Sequence, residues 1–280
     1  MSADLHIHTN YSDGFLDPKK VVEIAKKVGL KTISITDHDS VGAIDPALIA
    51  GKDLGVEVIP GVELNTRLDK LEVHILGYFI DYKDLWFKER LAESRQIRIQ
   101  RAQQMIEKLN NLHVDIEFEE VEKLAGHSSI GRPHLARILC EHGYTDSVIE
   151  AFNKYLRVGA PAYVGLVKWN PFEAIEAIRK VNGIPVLAHP GSYKVDDLIP
   201  EMVSHGLQGI EIYCTKHSNN HIEHYLELAK NYNLLITGGS DFHNALGDVY
   251  DAILGSIPLA DEHVDKLRAA AKEMVLRQDK

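Results

Sequence analysis

A chain of 280 residues with 45% apolar and 26% charged side chains is long enough for one barrel plus a modest insertion, and its core needs no disulfide staples. A formal net charge of −10 argues against a basic face that grips long or duplex nucleic acid, yet leaves anionic small substrates open wherever bound cations invert the local field. The cysteines Cys140 and Cys214 lie far apart, the start Met1-Ser2-Ala3-Asp4 is not a basic-then-apolar leader, and no apolar run approaches the roughly 18 residues of a membrane span, so a soluble protein of the reducing cytoplasm is expected.

Short β-rich runs alternate with helical patterns, the grammar of βα units and a parallel sheet. Strands are predicted at Ala3–His8, Thr32–Thr36, Val56–Leu64 and Leu71–Phe79. After a long gap they resume at Ile184–Ala188, Gly209–Tyr213 and Leu234–Gly238, with Ala252–Ile257 as a last candidate. A helix over Pro18–Val28 has proline in its first turn and Gly29 just past its end, and Pro171–Asn182 repeats that pattern between Asn170 and Gly183. From Asp81 to Gly159 the alternation breaks, and the stretch reads helical at Leu85–Leu109, Phe118–Leu124, Pro133–His142 and Ser147–Leu156. Residues 81–159 are therefore expected to form a helical subdomain inserted into a barrel made of residues 1–80 and 160–280.

The placement of the histidines carries the chemistry. Asp4-Leu5-His6-Ile7-His8 sets two imidazoles on one face of a strand, and Asp13 follows in the next turn. His38 closes the second strand in Thr36-Asp37-His38-Asp39, and Glu63 closes the third in Pro60-Gly61-Val62-Glu63. His74 lies on the fourth, His189 ends the fifth in Ala188-His189-Pro190, and the seventh runs into Ser240-Asp241-Phe242-His243. Such strand ends are where barrel enzymes assemble their sites. Imidazole nitrogens and carboxylate oxygens are ligands for zinc, manganese and iron. One His-x-His alone is weak, because paired strand histidines are usually structural; six histidines and three acids at matching strand ends point to a shared cation site. Taken singly, His74 and His189 read equally well as ligands or as ordinary buried histidines. Asp37 or Asp39 could orient the His38 imidazole, although Asp39 reads more simply as a helix cap, and Asp4 reads as supporting or structural.

Together these motifs resemble the polymerase-and-histidinol-phosphatase (PHP) family, from end to end and in the family's order. The resemblance implies a distorted (β/α)7 barrel of the α/β class with three divalent cations per chain, Mn²⁺, Zn²⁺ or Fe²⁺. It implies His6, His8, Glu63 and Asp241 around the first cation, with Asp241 also part of the catalytic machinery. It further implies Glu63 bridging to a second cation held by His74 and His189, and Asp13, His38 and His243 around a third. Ser129-Ile130-Gly131-Arg132-Pro133-His134 in the insertion resembles a segment of the branch that acts on nucleoside 3′,5′-bisphosphates and RNA 5′ ends. That likeness makes Arg132 and His134 candidate catalytic and phosphate-binding residues, and guanidinium forks suit phosphate. The competing account is a plain helix start with Arg132 solvated.

Lys168 could add a further positive contact to substrate, and Tyr193 could stack on a base. Arg90, Arg95, Arg98 and Arg101 line one inserted helix and read as a solvated charged face, or else as a lining for a nucleic-acid strand. A Walker loop and a Gly-x-Ser-x-Gly elbow are absent from the sequence. Neither cysteine has the context of a nucleophile, and Cys140 reads as core. The expected activity is metal-dependent hydrolysis of a phosphate ester on a nucleotide-type substrate, with cation-bound water as nucleophile. Histidinol-phosphate phosphatase and, more distantly, a metal-dependent amidohydrolase are the competing enzymes, and a non-catalytic PHP module of a larger polymerase is the competing non-enzyme.

Overall fold

The computed structural model describes residues 3–69, 71–126, 128–165, 169–193, 195–243, 253–257 and 259–278. In chain order the elements are β1 (Ala3–Ile7), α1 (Pro18–Lys27), β2 (Thr32–Ile35), α2 (Ile44–Leu54), β3 (Glu57–Leu68), β4 (Leu71–Tyr78), α3 (Leu85–Asn110), α4 (Phe118–Ala125), α5 (Arg132–Glu141), α6 (Val148–Ala151), α7 (Pro171–Lys180), β5 (Ile184–Leu187), α8 (Ile199–Ser204), β6 (Gly209–Cys214), α9 (Asn219–Asn231), β7 (Leu235–Gly239) and α10 (Asp261–Gln278).

The seven strands pair in sequence order. β1, β2 and β3 run parallel, as do β5, β6 and β7, whereas β4 is antiparallel to both of its neighbours. A wholly parallel sheet was the simplest expectation, and the connection explains the departure. Leu68 at the end of β3 pairs with Leu71 at the start of β4. So short a link can only make a hairpin, because a parallel return needs a crossover of about a dozen residues. The barrel closes where Asp241 N donates to His6 O at 2.9 Å and His8 N to Phe242 O at 2.9 Å. Gly239 makes that approach possible: a Cβ there would stand 2.4 Å from the His6 nitrogen.

The eighth strand candidate does not form over its described part. Residues 253–257 are turn, with Gly255 at φ +76°, and its N–H donates to Asp4 Oδ2 at 2.9 Å. Beyond it Leu259 forms an isolated antiparallel bridge to Ala3.

Helices α1 and α2 cover β1–β3 with Val21, Val22 and Ala25 against Ile33, Ile35 and Val58. On the other flank Ile175, Ile178, Met202 and Tyr225 pack on Val62, Leu64, Ile75 and Ile210. α10 adds Val264 and Leu267 to Leu5, Ile59, Leu76 and Tyr78. The helices between β4 and β5 gather a separate cluster around Met105, Leu109, Val121, Leu135, Leu139 and Leu156. The Asn170-Pro171 start of α7 is a capping box: Asn170 Oδ1 accepts from Glu173 N at 2.8 Å while Glu173 reaches back to Asn170 N.

Candidate metal centre

Glu63 stands at the middle of the site, buried at the mouth formed by the strand ends. Its Oε2 lies 3.1 Å from His6 Nε2, 3.1 Å from His8 Nε2 and 3.1 Å from His38 Nδ1. Its Oε1 lies 2.7 Å from His74 Nδ1 and 3.3 Å from His189 Nε2. Asp241 Oδ1 approaches His6 Nε2 at 3.3 Å and His8 Nε2 at 3.2 Å, and Asp13 Oδ1 approaches His243 Nε2 at 3.3 Å. Residues from positions 6 to 243 thus share one small volume. His74 reaches it from mid-strand, opposite Asn65, and not from a strand's C-terminal end. Because β4 is reversed, its first half lies at the mouth.

Three overlapping groups are close enough to hold a cation: His6, His8, Glu63 and Asp241; His8, Asp13, His38 and His243; and His38, Glu63 and His74. The first matches the partition implied by the resemblance. The second adds His8, and the third brings in His38 and leaves His189 beside it. Among the described residues, His38 Nδ1 and His189 Nδ1 are buried without a hydrogen-bond partner. His38 Nδ1 sits 3.1 Å from a carboxylate oxygen without bonding to it. A ring nitrogen and a carboxylate oxygen so close yet unbonded suit a common cation better than they suit each other.

Electrostatics point the same way. Burial disfavours an imidazolium, yet Glu211, Asp241 and Glu63 hold the His6 pKa well above its ordinary value. Burial opposes His8 protonation too, and Asp241 and Glu63 nevertheless raise its pKa to about 10. Burial would keep a proton on Glu63, but His38, His6 and His74 hold its carboxyl well below the carboxylate range. His189 is lowered to about 4, first by burial and then by Lys216. Carboxylates held ionised in so dry a place call for positive charge at the centre.

The surrounding chain fixes these atoms. Glu211 on β6 accepts from His6 Nδ1 at 3.0 Å and from His189 N at 2.9 Å, which turns His6 Nε2 toward Glu63. Sequence reading missed it, although a lone acid in the apolar run Gly209-Ile210-Glu211-Ile212 was the available signal. Asp37 accepts from Thr9 N, Thr9 Oγ1 and Ser12 Oγ at 2.6–2.7 Å, so it braces the loop that carries Asp13 and does not orient His38. Asp4 is structural, accepting from Ser240 N at 2.9 Å beside Asp241. Asp39, His189 and Asp241 have positive φ values of 50°, 29° and 56°, backbone that an L residue holds only where its surroundings enforce it. Lys216, just beyond β6 and also unforeseen, places Nζ 2.5 Å from Asp241 Oδ2. That leaves Oδ1 to the histidines.

Above this mouth a cavity of about 240 Å³ is walled by Arg98, Arg101 and Arg132 from the helices. The solvated-face reading of the α3 arginines fails for two of them, since Arg98 and Arg101 are buried. Arg98 Nε donates to Asp39 Oδ2 at 2.7 Å and its Nη2 to Asn65 Oδ1. The Asn65 side-chain amide also meets His74 Nε2 at 2.8 Å, which turns Nδ1 toward Glu63. Asp39 is therefore an arginine anchor and not a helix cap: α2 starts at Ile44 with Ala43 before it. Arg90 lies over the Trp169 ring at 5.0 Å.

Arg101 and Arg132 share one acid, Glu72. Arg132 Nη2 donates to Glu72 Oε2 at 3.2 Å, Tyr163 OH to Oε1 at 2.6 Å, and Arg101 Nη2 stops 3.6 Å from Oε1. His134 does not join Arg132 in this cavity. Its Nδ1 accepts from Gly131 N at 3.0 Å and its ring lines a neighbouring cavity, because the first turn of α5 sends the two side chains to opposite sides. Tyr193 packs on the His74 and His189 rings, with centroids at 6.0 and 5.4 Å. Cys140, read as core, is only partly buried, with Sγ 3.3 Å from Thr145 Oγ1. Lys168 lies outside the described residues.

A barrel with overlapping cation-competent groups at one mouth and guanidinium groups above them has the build of a metal-dependent hydrolase for anionic esters. Comparison with known proteins gives the family. The PHP domain model matches residues 4–168. The 5′-3′ exoribonuclease Rnm of Escherichia coli (strain K12) is 36% identical over 248 residues, spanning 86% of this chain and 84% of that one. The 3′,5′-nucleoside bisphosphate phosphatase of Chromobacterium violaceum is 32% identical over 247 residues, 86% of each chain. A solved structure from Bifidobacterium adolescentis, provisionally assigned as a metal-dependent phosphoesterase, superposes with a TM-score of 0.90 at 28% identity over 96% of both chains. The chain belongs to the PHP family and is a metal-dependent phosphoesterase. No described helix is long and apolar enough to cross a membrane.

Proposed function

We propose that the protein hydrolyses a phosphate ester of a nucleotide-type substrate: a nucleoside 3′,5′-bisphosphate, a nucleoside monophosphate or the 5′ end of a short RNA. The observation that carries this is the wall of Arg98, Arg101 and Arg132 that lines one small cavity together with Glu63 and its histidines. The names of the Escherichia coli and Chromobacterium violaceum relatives support the substrate class.

Three divalent cations, Mn²⁺, Zn²⁺ or Fe²⁺, would be held by His6, His8, Glu63 and Asp241; by Glu63 with His74 and His189; and by Asp13, His38 and His243. Bound there, they would supply Lewis acidity and lower the pKa of water toward neutrality. The chain's own residues do the rest. Glu211, Asn65 and Lys216 fix which ligand atom faces the centre. Arg132, only partly paired with Glu72, is free to fork onto phosphoryl oxygens. Arg101 Nη2, buried with no hydrogen-bond partner among the described residues, awaits an anion that Glu72 only partly supplies. Two guanidinium groups against one carboxylate favour a substrate with more negative charge than one ester. The stretch 81–159 would then be the inserted subdomain that supplies the substrate wall, with His134 and Lys168 as further contacts.

The test is a screen of purified protein with Mn²⁺ against bisphosphates, monophosphates, short 5′-phosphorylated RNA and histidinol phosphate, repeated after chelation. Turnover of the nucleotide substrates that chelator abolishes and metal restores is expected. A clear preference for histidinol phosphate, or activity indifferent to chelation, overturns the reading.

A further inference from the structure

The acid that holds the arginine wall comes from the same strand as a candidate metal ligand. Glu72 and His74 stand two residues apart on β4, hence on one face. His74 turns Nδ1 to Glu63, whereas Glu72 reaches the guanidinium groups. Glu72 does not line the cavity; it sits behind Arg101 and Arg132, largely buried. Its Oε2 accepts from Arg132 Nη2 at 3.2 Å, and its Oε1 from Tyr163 OH at 2.6 Å. Arg101 Nη2 is held 3.6 Å away, because its Nε is tied to Val164 O at 2.7 Å. The rings of Phe152 and Tyr163, each 5.8 Å from the guanidinium carbon, steady Arg132.

Arg98 is already neutralised by Asp39 at 2.7 Å. The charge that an incoming phosphate meets on the wall is therefore that of Arg101 and Arg132 less the Glu72 carboxylate. Binding that grips product as firmly as substrate lowers KM without raising turnover. A carboxylate that already holds Arg132 loosens that grip, since phosphate must exchange with it for the same N–H groups. We infer that Glu72 is an internal competitor for phosphate: it aims Arg132 and weakens the hold of both arginines, so that the phosphate-bearing product leaves. Glu72 is a positioning residue and touches no substrate itself. The inference rests on the reading above that the arginine wall binds the substrate phosphate, and it assigns the acid behind that wall.

The probe is inorganic phosphate, titrated calorimetrically into the full chain loaded with Mn²⁺ and freed of excess metal. Glu72→Gln keeps the shape and one acceptor oxygen but removes the charge. Its Kd for phosphate should fall about 10-fold, with metal content unchanged. Tyr163→Phe strips a hydrogen bond from Glu72 Oε1 and leaves the carboxylate a stronger competitor, so Kd should rise about 3-fold. Glu72→Asp keeps the charge and should return Kd toward its original value. With a nucleoside 3′,5′-bisphosphate, Glu72→Gln should lower KM and kcat together. A Kd that stays the same or rises in Glu72→Gln makes the acid a plain structural anchor and overturns the inference. Should that variant fail to fold, Tyr163→Phe decides, because an unchanged or lower Kd there overturns it as well. Tighter phosphate in Glu72→Gln, in a protein that turns over no nucleotide, overturns the proposed function and keeps the competitor.

Discussion

The mouth of the barrel and the helical wall above it solve opposite problems. The strands supply imidazoles and carboxylates, short side chains whose atoms meet within 2.7–3.9 Å around Glu63 and Asp13. The helices supply guanidinium groups on long stems, reaching in from α3 and α5. A cation site needs fixed geometry, and strand ends braced by Glu211, Asp37 and Asp4 provide it. An anion site needs charge and directed N–H groups, and the arginines carry these from a separately packed cluster. Metal binding and substrate binding should therefore be separable by mutation.

The most severe test is Glu63→Gln. Removing the carboxylate that faces five histidines should lower bound metal after dialysis, and turnover with it, on the order of 100-fold or more. Full metal content in that variant would mean Glu63 is not the centre. Arg101→Gln should do the reverse: KM for a doubly charged substrate rises about 10- to 100-fold while metal analysis stays unchanged. Metal loss there would show that wall and mouth form one unit. A smaller effect is expected for Lys216→Met. Freeing Asp241 Oδ2 should weaken metal about 10-fold in chelator competition, and tighter binding would instead make Lys216 a cation that competes with the metal.

The mildest prediction concerns the far end of β3, where Arg268 clamps Glu57. Partial burial alone would raise the Glu57 pKa; Arg268 and Thr32 outweigh it and bring it down. A lowered folded-state value stabilises above the ordinary carboxylate range and loses that benefit as pH falls through it. In urea melts Glu57→Gln should therefore cost about 0.5 kcal/mol at neutral pH and nothing at strongly acidic pH. A large loss would mean that an exposed pair matters as much as the buried mouth.

Much of the barrel was legible because several strands are short apolar runs closed by a chemical signature, as in Ile33–Ser34–Ile35 before His38 or Val186–Leu187 before His189. Local cues also marked α1 and α7, whose prolines and caps stand in the sequence itself. What failed were readings that needed a partner from elsewhere. Asp39 reads as a cap until Arg98, 59 residues away, takes its carboxylate. Arg98 and Arg101 look solvated on a charged helix until the helix lies across the barrel mouth.

By itself the sequence determined the order of strands, the helical stretch between the fourth and fifth, and which ligand-type side chains stand at strand ends, because periodicity and residue chemistry are local properties. Only the tertiary structure decided that β4 runs backward, that Glu211 and Lys216 belong to the site, and that Arg132 and His134 face different cavities. Those outcomes depend on which groups lie within a few ångströms of one another after the chain closes on itself, and no local pattern encodes such distances.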